Sequence, residues 1–311
     1  MKHFDSLLRI TTQEIRDILQ TATTLKAGLR AGERPAILAG HTLTLLFEKP
    51  SLRTRISFET AIAHLGGNSL FLNAADAGLH GRESLPDVAR VLSSYSDFIV
   101  IRAFSQTLIE EMIKYSKCPI INGLSDRSHP CQALADVFTV QEEFGECAGR
   151  RIAFVGDGNN VARSLAVAAA HLEMPFVMSA PPGYEFHSQF LKRLHEQFPH
   201  VQIIQEPDPR KAVAHADIIY TDVWVSMGQE AETEKRKSIF APYQVNEKLL
   251  QGAPAHSKFM HCLPARRGLE VTDGVMDGSH SIAFEQAENR LHLSKGILAW
   301  LSGKSVGSET A

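Results

Sequence analysis

Short apolar runs alternate with amphipathic segments along nearly the whole chain, and this alternation restricts the fold more than any other feature. The segments between the runs place apolar residues at helical spacing. Strands that alternate with helices form parallel sheets with helices on both faces, so the pattern predicts an α/β fold. The predicted strands are 43–47, 69–73, 98–102, 119–123, 151–157, 176–180, 201–205, 218–222 and 258–263.

The predicted strands fall into two sets, which end near residue 124 and begin again near residue 151. The segment between them, HPCQALADVFTVQEEFGE, has the apolar spacing of one long helix. We therefore expect two doubly wound parallel-sheet domains bridged by long helices. The expected bounds are 1–128 for the first domain, completed by a C-terminal helix at 284–303, then 129–148 for the linking helix and 149–283 for the second domain.

Composition excludes several classes of protein. The formal net charge of −3 provides no general basic field for nucleic acid or a membrane surface, so neither is an expected partner. The start, MKHFDSLLRI, lacks an apolar signal core, and no apolar run reaches the length of a membrane span. The four cysteines form no CxxC pair, which is typical of reduced thiols in a cytoplasmic protein.

Polar groups follow six of the predicted strands. Ligands of parallel α/β sheets bind beyond the carboxyl ends of strands, so these groups predict a binding cleft between the domains. The polar groups are EKPSLRTR after the first strand, Arg102 at the end of the third, and LSDRSHPCQ, GDGNN, VWVSMGQE and HCLPARRG after later strands.

The corner formed by residues 51–54 has the composition of an anion site. Ser51, Arg53 and Thr54 lie where a helix should begin, and free backbone N–H groups there attract anions. Hydroxyl groups donate hydrogen bonds, and an arginine can hold two phosphate oxygens. The alternative is that Ser51 only caps the helix and the arginines are solvated. We expect Arg55 to be a structural support that pairs with a nearby acid.

Four motifs, in this order along the chain, resemble those of the aspartate and ornithine carbamoyltransferase family. SLRTR resembles the phosphate-binding S-T-R-T-R, with Leu52 where threonine is more usual, and 129–132 matches H-P-x-Q. The segment Asp222 to Gly228 fits D-x-W-x-S-M-G, and His261 to Pro264 reads H-C-L-P; both are similar to the ornithine branch. The resemblance implies transfer of a carbamoyl group from carbamoyl phosphate to the δ-amine of L-ornithine.

The resemblance also implies roles for individual residues. Those matching carbamoyl phosphate contacts are Ser51, Leu52 through its backbone, Arg53, Thr54, Arg102, His129, Gln132, Cys262, Leu263 through its carbonyl, and Arg290. Those matching ornithine contacts are Asn160, Asp222, Ser226 and Met227. The implied catalytic residues are Arg102 and His129, which stabilise charge on the carbamoyl oxygen, and Cys262, which positions and helps to deprotonate the amine. No metal or cofactor is implied.

Other interpretations stay open at this stage. Relatives of this kind also act on N-acetylornithine, N-succinylornithine or putrescine, and the fold could serve a non-catalytic binding protein. A nicotinamide-dependent dehydrogenase is disfavoured because GDGNN lacks the GxGxxG pattern. The family implies a homotrimer or an assembly of trimers, in which a loop of one subunit completes a neighbouring site. The candidate is loop 76–84, with His80 or Arg82, and the alternative is that this segment is only an exposed polar loop. Synthesis and breakdown of arginine would use the same residues.

Overall fold

The computed structural model describes residues 1–79, 81, 83–225 and 230–304. The chain divides into two compact units. Unit 1 comprises Met1–Ala135 and Glu288–Ala311, and unit 2 comprises Asp136–Ala287. Among the described residues, no helix combines the length and the apolar character needed to cross a membrane.

Unit 1 contains a four-stranded parallel sheet with the order β2-β1-β3-β4. Its elements are α1 (Thr12–Arg30), β1 (Thr42–Phe47), α2 (Leu52–His64), β2 (Asn68–Asn73), α3 (Leu85–Tyr95), β3 (Phe98–Arg102), α4 (Gln106–Tyr115) and β4 (Ile120–Leu124). Helix α5 (Pro130–Phe144) follows and contains the boundary between the units.

Local chemistry explains where the helices of unit 1 begin. Thr11 and Glu14 form a capping box at α1, and the hydroxyls of Ser51, Ser84 and Ser105 accept backbone N–H bonds at the next three helices. Strand β3 is buried along its whole length, whereas the edge strand β2 is largely exposed or half-buried. The apolar core therefore lies on the central strands, under the helices.

Unit 2 contains a five-stranded parallel sheet with the order β7-β6-β5-β8-β9. Its elements are β5 (Ile152–Val155), α6 (Asn160–His171), β6 (Phe176–Ser179), α7 (Ser188–Gln197), β7 (Ile203–Gln205), α8 (Pro209–Val213), β8 (Ile218–Thr221), α9 (Thr233–Phe240), α10 (Glu247–Leu250), β9 (Lys258–His261) and α11 (Asp273–Met276). Helix α12 (Ala283–Ser302) begins in unit 2 and continues into unit 1.

Each sheet has one point at which the order of strands reverses. This point lies between β1 and β3 in unit 1, and between β5 and β8 in unit 2. The segments that leave adjacent strands there diverge to opposite faces of the sheet, which opens a crevice at the carboxyl ends. The predicted phosphate corner follows β1, and Arg102 ends β3. The GDGNN and D-x-W segments follow β5 and β8, so both reversals lie beside predicted binding residues.

The predicted α/β fold with two parallel sheets is confirmed, and every predicted strand is present. Three boundaries differ by two residues: β5 ends at Val155, β7 begins at Ile203, and the last strand, predicted to run to residue 263, ends at His261. The backbone of Leu263 has φ +57°, a left-handed conformation that no strand contains. The chain therefore turns away from the sheet within H-C-L-P.

Candidate active site

The corner after β1 is a helix N-terminus with its hydroxyls turned inward. Ser51 caps α2 by accepting the backbone N–H of Thr54 at 3.3 Å, and its own hydroxyl donates to Thr54 Oγ1 at 3.1 Å. Thr54 is buried, whereas the side chain of Leu52 is 73% exposed. Only the backbone of Leu52 therefore belongs to the corner. Arg55 donates to Glu59 Oε1 at 3.0 Å, which confirms its predicted structural role.

The ends of β1 and β3 are tied together and carry two cationic side chains. The backbone N–H of Glu48 donates to Arg102 O at 2.9 Å, and its carboxylate accepts the N–H of Phe104 at 2.6 Å. Burial lowers the pKa of the Lys49 ammonium, and the positive charge of Arg102 lowers it further. Lys49 and Arg102 are therefore close enough to repel, an arrangement that a bound anion would relieve.

His129 lies in a loop held by buried amide and hydroxyl groups. Gln106 Oε1 accepts from Asn122 Nδ2 at 3.1 Å and from Ser125 Oγ at 2.6 Å, and Asn122 also donates to Ser128 Oγ at 2.9 Å. These bonds fix the segment that delivers His129 to the start of α5. The imidazole is 5% exposed, so its position is set by the protein and not by solvent.

Positive charges converge on this histidine. Burial lowers the pKa of His129 well below its ordinary value, and neighbouring cations lower it further. In order of effect, those cations are Arg290, Arg102, Arg53 and Lys49. The imidazole is thus uncharged at neutral pH and can donate one hydrogen bond to a carbonyl oxygen. The four cations around it concentrate positive charge, which suits a multiply charged anion.

Arg290 and Gln132 join the same group. The guanidinium of Arg290, on α12, donates to Gln132 Oε1 on α5, and its other terminal nitrogen reaches Thr54 Oγ1 at 3.5 Å. Both residues are buried. Unit 1 therefore brings together Ser51, Arg53, Thr54, Arg102, His129, Gln132 and Arg290, the predicted side-chain contacts of carbamoyl phosphate in this unit.

Unit 2 assembles its predicted residues around a carboxylate. Asp222 Oδ1 accepts the Cys262 thiol at 3.1 Å and its own following N–H, from Val223, at 2.8 Å. Asp222 Oδ2 accepts Asn159 Nδ2 at 2.9 Å, while Asn159 Oδ1 caps α6. Asn160 is the first residue of that helix and is half-buried. The carboxylate is 7% exposed and therefore suited to pair with a cationic amine.

A histidine–glutamate pair shapes the turn after β9. His261 Nδ1 accepts the backbone N–H of Leu263 at 2.9 Å, so Nε2 carries the proton and donates to Glu270 Oε1 at 3.2 Å. The same carboxylate oxygen accepts the N–H of Arg266. His261 and Glu270 are fully buried. The pair holds Leu263 in its left-handed conformation, which determines where the Cys262 thiol and the Leu263 carbonyl point.

Three of these groups also lie near enough for a metal. One ligand atom each from Asp222, His261 and Cys262 falls within 4.8 Å of the others. However, both ring nitrogens of His261 already have partners, Leu263 and Glu270. A metal at this position would have to break the turn of H-C-L-P, so the geometry gives no support for a resident ion.

A buried arginine joins the two loops at the reversal point of unit 2. Arg236 pairs with Asp157, in GDGNN, and donates through Nε to Trp224 O, in the D-x-W segment. Its guanidinium also lies over the rings of Tyr184 at 4.9 Å and Phe240 at 5.1 Å. Arg236 therefore fixes Asp157, whose carboxylate interacts electrostatically with Asp222, and Trp224, which lies two residues after Asp222 in the sequence.

The GDGNN turn does not fit a dinucleotide. A Cβ atom at Gly158 would lie 2.9 Å from Tyr184 O, so this glycine serves close packing with a neighbouring loop. Val161, buried at 5% exposure, occupies the place of the third glycine in GxGxxG. The tight pyrophosphate approach of a nicotinamide enzyme is therefore missing at this turn.

Sequence reasoning missed Lys49, Asn159, Arg236 and Glu270. Lys49 precedes the predicted phosphate corner, so its charge was a usable signal, and Asn159 adjoins the predicted Asn160. Nothing in the sequence pattern relates Arg236 or Glu270 to their distant partners. Four predicted residues lie outside the described part of the chain: Ser226, Met227, His80 and Arg82.

The sequence matches two family profiles. The profile described as "Aspartate/ornithine carbamoyltransferase, carbamoyl-P binding domain" matches residues 2–142. The profile described as "Aspartate/ornithine carbamoyltransferase, Asp/Orn binding domain" matches residues 148–301. Together they span nearly the whole chain.

Individual relatives and solved structures agree with the profiles. Ornithine carbamoyltransferase from Pyrococcus abyssi is 49% identical over 297 residues, which cover 94% of this chain and 93% of the relative. "Ornithine carbamoyltransferase, anabolic" from Pyrococcus furiosus is 49% identical and covers 94% of each chain. The solved structure of ornithine carbamoyltransferase from Pyrococcus furiosus has a TM-score of 0.94 at 47% identity, covering 98% of each chain. That from Thermus thermophilus has a TM-score of 0.87 at 40% identity, covering 97% of this chain and 99% of the other.

Proposed function

Because this chain belongs to the aspartate/ornithine carbamoyltransferase family, we propose that it is an ornithine carbamoyltransferase. It transfers the carbamoyl group of carbamoyl phosphate to the δ-amino group of L-ornithine, giving L-citrulline and phosphate. The observation that carries the proposal is the convergence of Lys49, Arg53, Arg102 and Arg290 on the uncharged His129. Cations for a phosphate and a neutral donor for a carbonyl are what carbamoyl phosphate requires.

Carbamoyl phosphate is held by residues of 1–128 and of the helix at 284–303. The N–H groups at the start of α2, including that of Leu52, and the side chains of Ser51, Arg53 and Thr54 hold the phosphate. Arg102 and His129 donate to the carbamoyl oxygen, where negative charge develops during attack. One donor of this kind is worth about 3 kcal/mol in the transition state.

The amide and leaving-group sides of carbamoyl phosphate have their own contacts. Gln132 and the Leu263 carbonyl orient the carbamoyl NH2 group, and the Arg290 guanidinium reaches both Gln132 and the phosphate corner. The linking helix of this scheme is 129–148, which carries His129 and Gln132 at its start.

Ornithine is held by 149–283. The Asp222 carboxylate pairs with the α-amino group, and Asn160, Ser226 and Met227 supply the other contacts. Cys262 Sγ lies 3.1 Å from Asp222 Oδ1, so the thiol can pass its proton to that carboxylate, and the resulting thiolate can accept a proton of the δ-amine. The free amine is protonated at neutral pH, as in lysine, so removal of this proton must precede attack. Because attack comes from the substrate amine, Cys262 forms no covalent intermediate.

The test is citrulline formation by the purified protein, with Arg53→Ala and Arg55→Ala as a matched pair. Arg53→Ala should lower kcat/KM for carbamoyl phosphate by at least about 100-fold, since a phosphate contact is lost. Arg55→Ala removes the exposed pair with Glu59 and the contact of the guanidinium with the Phe71 ring, and it should retain activity within about twofold. Equal activity of both variants would contradict the proposed role of Arg53 in binding the phosphate.

The choice of amine is tested separately. N-acetylornithine and N-succinylornithine lack the α-amino charge that pairs with Asp222, whereas putrescine keeps both amines and lacks the α-carboxylate. Ornithine should exceed the acylated amines in kcat/KM by about 100-fold or more, because an unpaired buried carboxylate is costly. Ornithine should also exceed putrescine, because the contacts to the α-carboxylate are lost. A preference for an acylated amine or for putrescine would exclude the proposed substrate.

The proposal extends to assembly and metabolic role. Helices α2 and α3 and the edge strand β2 expose large apolar side chains, which suits burial in a homotrimer or an assembly of trimers: Leu52, Ile56, Leu70, Val91 and Tyr95. Light scattering should give three times the chain mass of 34.3 kDa, or a multiple of that. The four free cysteines favour a cytoplasmic enzyme. The anabolic name of the Pyrococcus furiosus relative favours arginine biosynthesis.

A further inference from the structure

Three fully buried side chains in unit 2 form a polar cluster that has no part in the proposed chemistry. Tyr220 OH donates to Asp136 Oδ2 at 3.1 Å, and Gln286 Nε2 donates to Asp136 Oδ1 at 2.6 Å. The Gln286 amide also donates to Tyr220 OH at 3.0 Å. The three residues come from α5, β8 and α12. Burial of so many polar groups is costly, so an apolar cluster would hold these elements together more simply.

The fourth bond of this cluster leads to the reacting segment. Gln286 Oε1 accepts the backbone N–H of His261 at 2.9 Å, at the last residue of β9. The Asp136 carboxylate can accept a hydrogen bond from the amide nitrogen of Gln286 but cannot donate one to the amide oxygen, so it determines which end of the amide faces His261. Burial raises the pKa of Tyr220 well above its ordinary value, and the charge of Asp136 adds to this, so the phenol stays a donor.

We propose that Gln286 is a positioning residue for carbamoyl transfer, holding the backbone of His261 so that the next two residues present the Cys262 thiol and the Leu263 carbonyl correctly. Asp136 and Tyr220 hold the Gln286 amide in the required orientation. The His261 ring is held separately, by Leu263 N–H and Glu270. The backbone of His261 is thus held by Gln286, and its ring is held by other groups. This inference rests on the proposed function.

The kinetic test uses Gln286→Met, which keeps the volume of the side chain and removes its bonds. Loss of orientation should lower kcat for citrulline by about 10-fold to 100-fold. The Kd for inorganic phosphate should stay within about twofold, because phosphate is held by unit 1. The control is Gln205→Met on the exposed edge strand β7, which removes the same type of bond, from Phe186 N–H at 2.8 Å. This control should leave kcat unchanged.

Tyr220→Phe supplies the second variant, since it removes one hydroxyl and keeps the ring. Combined with Gln286→Met it should cost no more than Gln286→Met alone, because both changes disable the same unit. Losses that multiply would contradict the inference, as would a folded Gln286→Met enzyme with wild-type kcat. If Gln286→Met does not fold, unchanged kcat in Tyr220→Phe overturns the inference and a reduced kcat supports it.

Hydrogen exchange separates this inference from the proposed function. Amide exchange of the peptide containing 258–264 should be at least about 10-fold faster in Gln286→Met or Tyr220→Phe than in wild type. A wild-type protein that forms no citrulline would contradict the proposed function, whatever the exchange shows. Unchanged exchange at 258–264 would contradict the positioning role even in an active enzyme.

Discussion

At the scale of single residues, the backbone of Leu52 belongs to the proposed phosphate site, whereas its side chain does not. The backbone N–H of Leu52 lies in the first turn of α2, where free N–H groups attract an anion, while its side chain is 73% exposed. Ser51 and Thr54 already supply the hydroxyls of the corner. A threonine hydroxyl at position 52 would therefore add a group that faces away from the anion.

Leu52→Thr should leave KM for carbamoyl phosphate within about twofold of the wild-type value, because the backbone contact is kept. Ser51→Ala is the contrasting variant: it removes the cap of α2 and one phosphate donor. Loss of such a cap costs about 1 kcal/mol of stability, and KM should rise as well. Steady-state kinetics and urea unfolding of both variants measure the difference. A Leu52→Thr enzyme with KM lowered about 10-fold would show that the hydroxyl does reach the phosphate.

Some residues of the candidate site could be predicted from the sequence, and others could not. The sequence predicts roles for Arg53 and Asp222 because they lie in motifs, and for Arg102 because it ends a predicted strand; both kinds of signal are local along the chain. Glu270 could not be predicted, since nothing marks an acid nine residues after His261 as its partner. Whether a carboxylate is solvated or buried against a ring is decided by packing, which the sequence pattern does not contain.

At the scale of elements, α9 connects the loop after β5 with the loop after β8 through side-chain hydrogen bonds. Its buried Arg236 holds Asp157, after β5, and the carbonyl of Trp224, after β8. Burial raises the pKa of Asp157, and the guanidinium of Arg236 opposes that rise. Without Arg236, Asp157 would be a poorly solvated carboxylate next to Asp222. The strands that precede these loops were predictable from the apolar runs. The contacts of Arg236 with both loops were not, because Arg236 is distant from them in the sequence.

Arg236→Met should raise KM for ornithine by at least about 10-fold and leave KM for carbamoyl phosphate nearly unchanged, since only loops of unit 2 lose their anchor. Arg210→Met is the matched control, because Arg210 forms only an exposed pair with Asp208 on α8. Kinetics with each substrate varied in turn make the comparison. An equal rise in both KM values would indicate general loss of structure instead of a local one.

At the scale of the whole molecule, four histidines of unit 1 have lowered pKa values. Burial is the largest cause for each of them: His3, His64, His129 and His292. The pKa of His292 falls to about 4, with the charges of Lys295 and Lys26 as further causes and Glu288 opposing them. Each such ring is uncharged in the folded protein at a pH where the unfolded chain would bind a proton. Unit 1 should therefore lose stability as the pH falls.

A histidine whose pKa is lowered by folding makes the unfolding free energy rise with pH. For His292 the folded pKa of about 4 lies below the ordinary 6.5, so the stability it allows is complete above about pH 6.5 and is lost as pH falls toward 4. Within this window one such group contributes a slope of up to about 1.4 kcal/mol per pH unit. His292→Gln should reduce the pH dependence of the unfolding free energy there, whatever its effect at pH 7.

Urea unfolding at several pH values between 7 and 4 measures this slope in wild type and variant. His195→Gln, on the exposed face of α7 in unit 2, is the control and should leave the slope unchanged, because solvent reaches that ring in both states. Hydrogen exchange at pH 5 should also show faster opening of peptides from α1 and α12 than at pH 7, since Lys26 and Lys295 share the cluster with His292. A slope that His292→Gln leaves intact would mean that His292 is not the linked group and that other histidines of unit 1 with lowered pKa values cause the pH dependence.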